Sequence, residues 1–133
     1  VLVHGVSIKP GKPTIFALAG DKVMIGLPGN PVSALVIAYI LVKPIIQVYL
    51  GLENRKFTAV IPATLTMNVP SQAGREDWIP VILIEGDGGD FHAEPIFGRS
   101  NLIFLLAKAD GLVRISSPTT GLEAGTTVSV RLF

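Results

Sequence analysis

A pair of lysines on a short turn is the first feature of this sequence that could do chemistry. The segment reads Ile8-Lys9-Pro10-Gly11-Lys12-Pro13, and proline followed by glycine at its centre is typical of a type II turn. Such a turn brings its first and fourth residues within about 7 Å, so Lys9 and Lys12 would lie side by side. Two neighbouring ammonium groups repel each other unless an anion lies between them, and phosphate or another oxyanion would suit both. The alternative is an ordinary hairpin turn with two solvated lysines.

The second such feature is the segment Gly26-Leu27-Pro28-Gly29-Asn30-Pro31-Val32-Ser33. Residues 22–25 before it predict a strand, and the apolar run after it predicts a helix. Asn30 is a favoured N-cap, Pro31 fits the first helical position, and Ser33 falls in the first turn. We expect free backbone N–H groups at this helix start, where the partial positive charge favours phosphate. The alternative is that glycine and proline merely make a tight, rigid turn.

The two segments would form one site if the strands that lead into them were neighbours. We expect these strands over Val3–Ile8 and Val23–Gly26. The lysine pair and the helix start could then converge on one anion, at the strand ends where open α/β sheets usually bind ligands.

Two kinds of structure must position these residues. Over residues 1–52, short strands alternate with one long helical segment, which is typical of an α/β domain. Over residues 53–133, β-branched residues, prolines and glycines dominate. We therefore predict an α/β plus all-β fold, in which the C-terminal portion of a three-layer α/β domain (strands and a long helix) is followed by a small β-barrel domain.

The β-rich part shows clear strand and turn signals. Pro62 suggests an edge or a bulge in its strand, and Gly86–Asp90 is a strong hairpin turn. Asn101 can cap a short helix over Leu102–Ala109, with Gly111 as its C-terminal stop. The strands are expected over residues 57–69, 78–85, 91–96, 112–115 and 128–133.

Composition excludes several classes of protein. The 133 residues are 49% hydrophobic and 16% charged, with a mean hydropathy of +0.56, which is too apolar for a disordered segment. A formal net charge of +1 does not provide the excess positive charge that is typical of proteins that bind nucleic acid. The lack of cysteine excludes disulfides, thiolate nucleophiles and cysteine-based metal sites. We expect a cytoplasmic protein, and the strand-like start at Val1 without a methionine predicts a piece of a longer one.

The most apolar stretch, residues 32–50, raises the question of a membrane span. A spanning helix needs roughly 20 apolar residues, and here Lys43 and Pro44 interrupt the run. We predict no membrane span, and instead a helix buried on most sides by a sheet and by a partner subunit.

Weaker signals are interpreted as structural. His4 and His92 are far apart in sequence and have no nearby ligand partners, so no metal is predicted at either. Ser100 lies outside any nucleophile-elbow pattern. The run Arg75-Glu76-Asp77-Trp78 is interpreted as solvated charges on a loop that enters a strand.

Taken together, these segments resemble the molybdopterin molybdenumtransferases of the MoeA–gephyrin family. The resemblance rests on residues 8–13 and 26–34, and it continues through the helix, Lys43-Pro44 and Gly51. It is weaker in Gly74-Arg75, in residues 109–112 and in residues 121–130. It covers essentially the whole chain, but only the C-terminal part of a family member. The chain departs from the family at Ser100-Asn101, where Ser-Gly is common, and at Asp110, where Asn is frequent.

The resemblance implies a definite reaction. Molybdenum from molybdate is inserted into the dithiolene of adenylylated molybdopterin with release of AMP, assisted by Mg²⁺, in a homodimer whose subunits share the cleft. By resemblance Lys9 contacts the anionic substrate, and Lys12 is a second, weaker catalytic candidate. The substrate-binding residues implied are Pro28, Gly29, Asn30, Pro31 and Ser33. Because the magnesium ligands are expected upstream of residue 1, this chain would supply half of a site and be inactive alone.

Two other functions stay open. Family relatives also serve as peptide-binding scaffolds, so a non-catalytic interaction module is the main alternative. A β-barrel that binds nucleic acid would need a basic, aromatic-rich sheet face, and 7% aromatic residues with balanced charge argue against it. The sequence does not distinguish molybdate from tungstate, since both are tetrahedral oxyanions of similar size and charge.

Overall fold

A computed structural model describes residues 1–52, 58–98 and 103–133 of the chain, in which groups of strands are separated by helices. The helices are α1 (Pro31–Ile37), a π-helical segment (Ala38–Val42), α2 (Lys43–Tyr49) and α3 (Ile103–Ala107). The strands are β1 (Val3–His4), β2 (Ile8–Lys9), β3 (Ile15–Ala19), β4 (Lys22–Gly26), β5 (Val60–Leu65), β6 (Val69–Pro70), β7 (Glu76–Glu85), β8 (Phe91–Pro95), β9 (Gly111–Ile115), β10 (Gly121–Leu122) and β11 (Thr127–Leu132).

Five strands close into a barrel because β7 is long enough to pair with two neighbours. Residues 81–85 of β7 pair antiparallel with β8, and residues 77–81 pair antiparallel with β9. The ring is completed through β5 and β11, in the order β7-β8-β5-β11-β9. Closure removes the exposed edges that an open sheet of these strands would carry. The predicted β-barrel and its mixed helix–sheet class are confirmed.

The barrel interior is filled by aliphatic side chains that alternate with exposed ones. In β11, for example, Val128 and Val130 are buried while Thr127 and Ser129 face outward, as expected for a strand with one buried face. The core consists of Ala63, Leu65, Val69, Val81, Ala93, Val113, Ile115, Val128 and Val130.

Local turn signals in the β-rich part are confirmed. The Gly86 N–H donates to the Asp90 carbonyl at 2.8 Å and closes the β7–β8 hairpin. Pro62 lies opposite Ser129 of β11, whereas β5 pairs with β8 only at residues 64 and 65. The proline therefore stands where its strand has a free side, as predicted. Phe57 and Asn101, at predicted element ends, lie outside the described residues.

Gly111 has a different role from the predicted helix stop. Helix α3 ends at Ala107, and Gly111 is the first residue of β9. A Cβ at this position would lie 2.5 Å from the Arg131 carbonyl oxygen. Glycine is needed because β9 and β11 approach closely there, and not because a helix ends.

The residues before the helix contribute to two different sheets. Strands β1, β3 and β4 form an antiparallel sheet with β3 in the centre, whereas β2 leaves it and pairs in parallel with β7 of the barrel. The predicted single strand over Val3–Ile8 is therefore wrong, and the condition that it lies next to Val23–Gly26 is not met. Strand β4 pairs instead with β3, its neighbour in sequence, in a hairpin in which Ala19 pairs with Lys22. This local pairing costs less chain entropy than pairing with a distant strand.

The long helical segment packs against the barrel through one face only. Val32, Val36, Ile37 and Ile40 share a buried cluster with Trp78, Leu106 and Leu112. None of the residues of α2, all of which the structure describes, is buried. The expectation of a helix buried on most sides therefore holds only for its first half.

The predicted interruption at Lys43-Pro44 does not end the helix. The π-helical segment precedes the proline, and the Lys43 N–H donates to the Ala38 carbonyl five residues back. This wider turn accommodates a residue that lacks an N–H. The resulting helix, Pro31–Tyr49, is long and apolar enough to cross a membrane by length and composition alone, a test that core helices of soluble proteins also pass.

The helical part and the barrel share further contacts at the end of the chain. The Tyr39 hydroxyl donates to the Leu132 carbonyl, and the Arg131 guanidinium lies 5.0 Å from the centre of the Tyr39 ring. The division of the chain at residue 52 stays a prediction, because residues 53–57 lie outside the described part.

The close approach at Gly111 yields a stability test. Gly111→Ala should lower the free energy of unfolding by about 1–3 kcal/mol, because the new methyl group meets backbone that cannot rotate away. Urea denaturation of the full-length protein measures the difference. Gly88→Ala is the matched control, since its Cβ would meet the nearest atom at 3.7 Å. Equal stability of the two variants would contradict the explanation.

Candidate functional site

Lys9 is brought to the barrel by the short strand β2. Ile8 pairs in parallel with Glu76, and Lys9 pairs with Asp77. The Glu76 N–H donates to the Ser7 carbonyl at 2.8 Å and extends this pairing. The lysine turn is therefore fixed beside the first residues of β7, which are distant in sequence.

The turn after Lys9 differs from the predicted type II geometry. The Lys9–Pro10 peptide bond is cis, and Gly11 has a φ of 137°, whereas type II requires about +80° at that position. The Thr14 hydroxyl, which is fully buried, donates to the Gly11 carbonyl at 2.6 Å. A Cβ on Gly11 would lie 2.3 Å from Cδ1 of the buried Ile37. The turn is therefore packed against α1, which leaves no room for a side chain at Gly11.

Three cationic residues line one cleft of about 420 Å³ between this turn and the barrel. They are Lys9, Lys12 and Arg75, and the remaining described lining residues include no Asp or Glu. Both lysines are exposed. The predicted lysine pair thus faces a common space, and a third cation joins it from the loop before β7. Such a cleft favours an anion with several acceptor oxygens.

Arg75 is the residue that sequence reasoning missed. The interpretation of Arg75-Glu76-Asp77-Trp78 as solvated charges is wrong, because the Asp77 side chain is only 3% exposed and accepts a hydrogen bond from Arg75 Nε at 2.8 Å. Glu76 also has partners: its Oε1 accepts a hydrogen bond from the Trp78 indole N–H at 2.7 Å, and its Oε2 forms an ion pair with the Arg114 guanidinium at 2.6 Å. The alternation in β7, followed back from the buried Val81, would have placed Asp77 on the inner face.

The start of α1 does not offer the free N–H groups that were predicted. The Asn30 side-chain oxygen accepts from the Val32 N–H at 3.1 Å and from the Ser33 N–H at 3.2 Å. The Ala34 N–H donates to the Asn30 carbonyl, and Pro31 has no N–H. The N-cap prediction is confirmed, and the same cap occupies the donors that an anion would need.

The structure does not bring the segment Pro28–Ser33 into the cationic cleft. Pro28 and Ser33 are buried, whereas Gly29 and Pro31 are exposed. Of this segment, Val32 lines a small apolar pocket of about 170 Å³ together with Lys9, Pro10 and Trp78. Two adjacent spaces therefore meet at Lys9, one cationic and one apolar.

The described residues offer no donor set for the Mg²⁺ that the family resemblance implies. Among them, no three His, Cys, Asp or Glu side chains cluster closely enough to hold a metal ion. His92 lies 3.6 Å from Asp90 on an exposed hairpin. The magnesium ion therefore does not fit the described residues, and no step is derived through it.

Comparison with known proteins finds the same family in a sequence model and in individual relatives. A sequence model of the MoeA C-terminal region (domain IV) matches residues 62–133. A molybdopterin molybdenumtransferase from Haemophilus influenzae is 33% identical over 96% of this chain and 32% of its own length. The molybdopterin molybdenumtransferase of Bacillus subtilis is 32% identical over 100% of this chain and 31% of its own length. The chain thus spans about a third of the length of these curated relatives.

Solved structures agree with the sequence comparisons. A molybdopterin biosynthesis MoeA protein from Pyrococcus horikosii has a TM-score of 0.81 at 37% identity, and the match covers 98% of this chain and 31% of that one. A molybdenum cofactor biosynthesis protein from Pyrococcus furiosus has a TM-score of 0.83 at 26% identity, covering 99% of this chain and 45% of that one. The family model, which matches more than half of the chain, shows that the chain belongs to the MoeA family, and the barrel and these relatives agree with it.

Proposed function

We propose that this chain supplies the oxyanion-binding part of an enzyme that inserts molybdenum from molybdate into adenylylated molybdopterin, with release of AMP. The observation that carries the proposal is the cleft lined by Lys9, Lys12 and Arg75. The names of the relatives support molybdenum cofactor biosynthesis by a transferase. Beyond this, we propose the particular reaction and the contribution of Lys9, Lys12 and Arg75 to it.

The charges in the cleft explain why an oxyanion would bind there. Three cations at one concave surface repel one another, and an anion with several oxygens relieves this repulsion while it accepts hydrogen bonds. The guanidinium of Arg75 presents planar paired donors, whereas the two lysines act as point charges. Molybdate, tungstate and phosphate share the tetrahedral oxygens that this arrangement suits.

We propose that the pterin part of the substrate binds in the apolar pocket beside Lys9. Its walls include Trp78, Pro10 and Val32, and flat apolar surfaces suit an aromatic ring system such as a pterin. We propose that Pro28, Gly29, Asn30, Pro31 and Ser33 shape this side of the site, with Asn30 acting through the cap that fixes the loop. Lys9, at the junction of both spaces, would contact the reacting anion.

The role of these residues in the reaction is charge neutralisation and positioning. No side chain of the cleft needs to act as a nucleophile if bound cations hold the oxyanion next to the dithiolene and stabilise charge on the leaving phosphate. Because the chain spans about a third of its curated relatives, the remaining groups of the site, magnesium ligands included, are proposed to come from the other two thirds.

The proposed assembly is a cytoplasmic homodimer that acts on small molecules. Leu35, Ile46 and Tyr49 of the helix are each about half exposed or more, at 48%, 52% and 66%, which supports contact with further protein. Nucleic acid is not a proposed partner, because the formal net charge is only +1. A membrane is not proposed either, since the first half of the helix packs against the barrel.

One observation favours the alternative of a non-catalytic interaction module. An apolar groove of about 460 Å³ runs between the helix, α3 and the end of the chain. A hydrophobic groove between the α/β part and the barrel is a feature that would favour a peptide-binding module. The groove and the cationic cleft are separate, so the two functions can be tested separately.

Molybdate affinity tests the proposed role of the lysines. In the full-length protein, Lys9→Ala and Lys12→Ala should each weaken molybdate binding about tenfold or more, because each removes a charge-assisted hydrogen bond. Isothermal titration calorimetry measures the affinity. Lys22→Ala is the matched control, since Lys22 is an exposed lysine of β4 outside the cleft. Wild-type affinity in Lys9→Ala would contradict the proposal.

Release of AMP separates the enzyme from the interaction module. The full-length protein should release AMP from adenylylated molybdopterin when molybdate is added, and Lys9→Ala should slow this release at least about tenfold through lost charge stabilisation. Chromatographic quantification of AMP measures the rate. Binding of a peptide with no AMP release in the wild-type protein would favour the interaction module.

A further inference from the structure

A buried carboxylate lies directly behind the cationic cleft. The Asp77 side chain is 3% exposed, and both of its oxygens have partners. Oδ1 accepts from Arg75 Nε at 2.8 Å, and Oδ2 accepts from the Ser71 hydroxyl at 3.0 Å. A carboxylate removed from water is strongly unfavourable without such partners, so these contacts fix where Arg75 and Ser71 lie.

The two partners of Asp77 flank the loop that forms one wall of the cleft. Residues 72–75 all line it, and Ser71 directly precedes them. The backbone of this loop is also anchored, because the Ser71 N–H donates to the Thr120 carbonyl and the Gly74 N–H donates to the Ser117 carbonyl, both at 2.9 Å. Asp77 thus links both ends of the loop to strand β7.

The position of Asp77 in the sheet connects this loop to the lysine turn. Asp77 is the residue of β7 that pairs with Lys9 of β2. One buried residue therefore contacts Arg75 through its side chain and lies opposite Lys9 through its backbone. The ion pair uses Nε of Arg75, and it does not consume the four N–H groups on the two terminal nitrogens of a guanidinium.

We infer that Asp77 is a positioning residue that holds Arg75 on the cleft wall so that its terminal N–H groups meet the bound oxyanion. The inference rests on the proposed function, since it assigns a role within the same cleft. Asp77 does not touch the anion itself. It acts by restricting the Arg75 side chain, which is 32% exposed and would otherwise sample many rotamers before binding.

The sign of the effect distinguishes positioning from simple electrostatics. The negative charge of Asp77 lies near the cleft and by Coulomb's law disfavours an anion there. Removing that charge would therefore strengthen anion binding if charge alone mattered. Loss of positioning would weaken it instead. A neutral, equally sized side chain at residue 77 separates the two effects.

The experiment is a double-mutant cycle on the full-length protein, with molybdate as the probe in calorimetric titrations. Asp77→Asn and Arg75→Ala should each weaken binding about tenfold, because the first replaces the charged acceptor of Arg75 Nε by a weaker neutral one and the second removes the guanidinium. The double variant should bind within about twofold of Arg75→Ala alone, because in this inference Asp77 acts on the anion only through Arg75. Additive losses would overturn the inference.

The matched control is Glu76→Gln. It removes one negative charge from the adjacent residue of β7, which pairs with Arg114 and does not line the cleft. This variant should bind molybdate at least as tightly as wild type, as the loss of a negative charge alone predicts. Weakening equal to that of Asp77→Asn would overturn the inference.

If circular dichroism shows that Asp77→Asn does not fold, Arg75→Lys tests the inference instead. Arg75→Lys retains the positive charge but lacks the Nε donor that Asp77 holds, so it should bind molybdate about as weakly as Arg75→Ala. Wild-type affinity in Arg75→Lys would overturn the inference.

The outcomes also separate this inference from the proposed function. If Lys9→Ala weakens molybdate binding while Asp77→Asn binds as tightly as wild type or tighter, the positioning role is overturned and the oxyanion site stands. If the wild-type protein does not bind molybdate, or binds it independently of Lys9, both are overturned.

Discussion

The arrangement of the cations depends on one short pairing, in which Ile8 and Lys9 of β2 lie beside Glu76 and Asp77 of β7. These two residues leave the sheet that the neighbouring segments form and add a parallel strand to the barrel instead. Without this pairing Lys9 and Lys12 would lie on a turn of one part of the chain, and Arg75 on a loop of the other. Their common cleft follows from a contact between residues almost 70 positions apart.

A two-residue strand cannot hold such an arrangement alone, because it forms too few hydrogen bonds to offset the entropy of closing a long loop. The apolar cluster that the helix shares with the barrel supplies the remaining stabilisation of this arrangement. Val36 and Ile37 of α1 are fully buried, as is Leu112 of the barrel, and Gly11 of the lysine turn lies directly against Ile37. The helix thus supports the turn from behind while β7 holds it from the side.

The sequence predicts those parts of the fold whose signals are local. The hairpin turn at Gly86–Asp90, the Asn30 cap and the alternating strand over Val128–Phe133 depend on neighbouring residues, and they are found where expected. Partners that are distant in sequence are not predictable in this way. The sequence predicts a helix stop at Gly111, because the residues around it give no sign of the close approach of Arg131.

The candidate site shows the same difference between features that local sequence predicts and features that depend on distant residues. The spacing of Lys9 and Lys12 predicts a cation pair, and both residues line one cleft. Arg75 was missed because an arginine beside two acidic residues is typical of a solvated loop, and only the burial of Asp77 shows otherwise. The helix start was expected to bind an anion through its N–H groups, but the Asn30 side chain already accepts from them.

The central claim is that Lys9, Lys12 and Arg75 together bind one oxyanion. A crystal structure of the full-length protein soaked with tungstate tests it most directly, because the anomalous signal of tungsten locates the ion without bias. The account predicts a peak in the cleft, with oxygen atoms within hydrogen-bond distance of Lys9 and Arg75. A peak only at the start of α1, or no peak in the cleft at a tungstate concentration that saturates binding in solution, would contradict it.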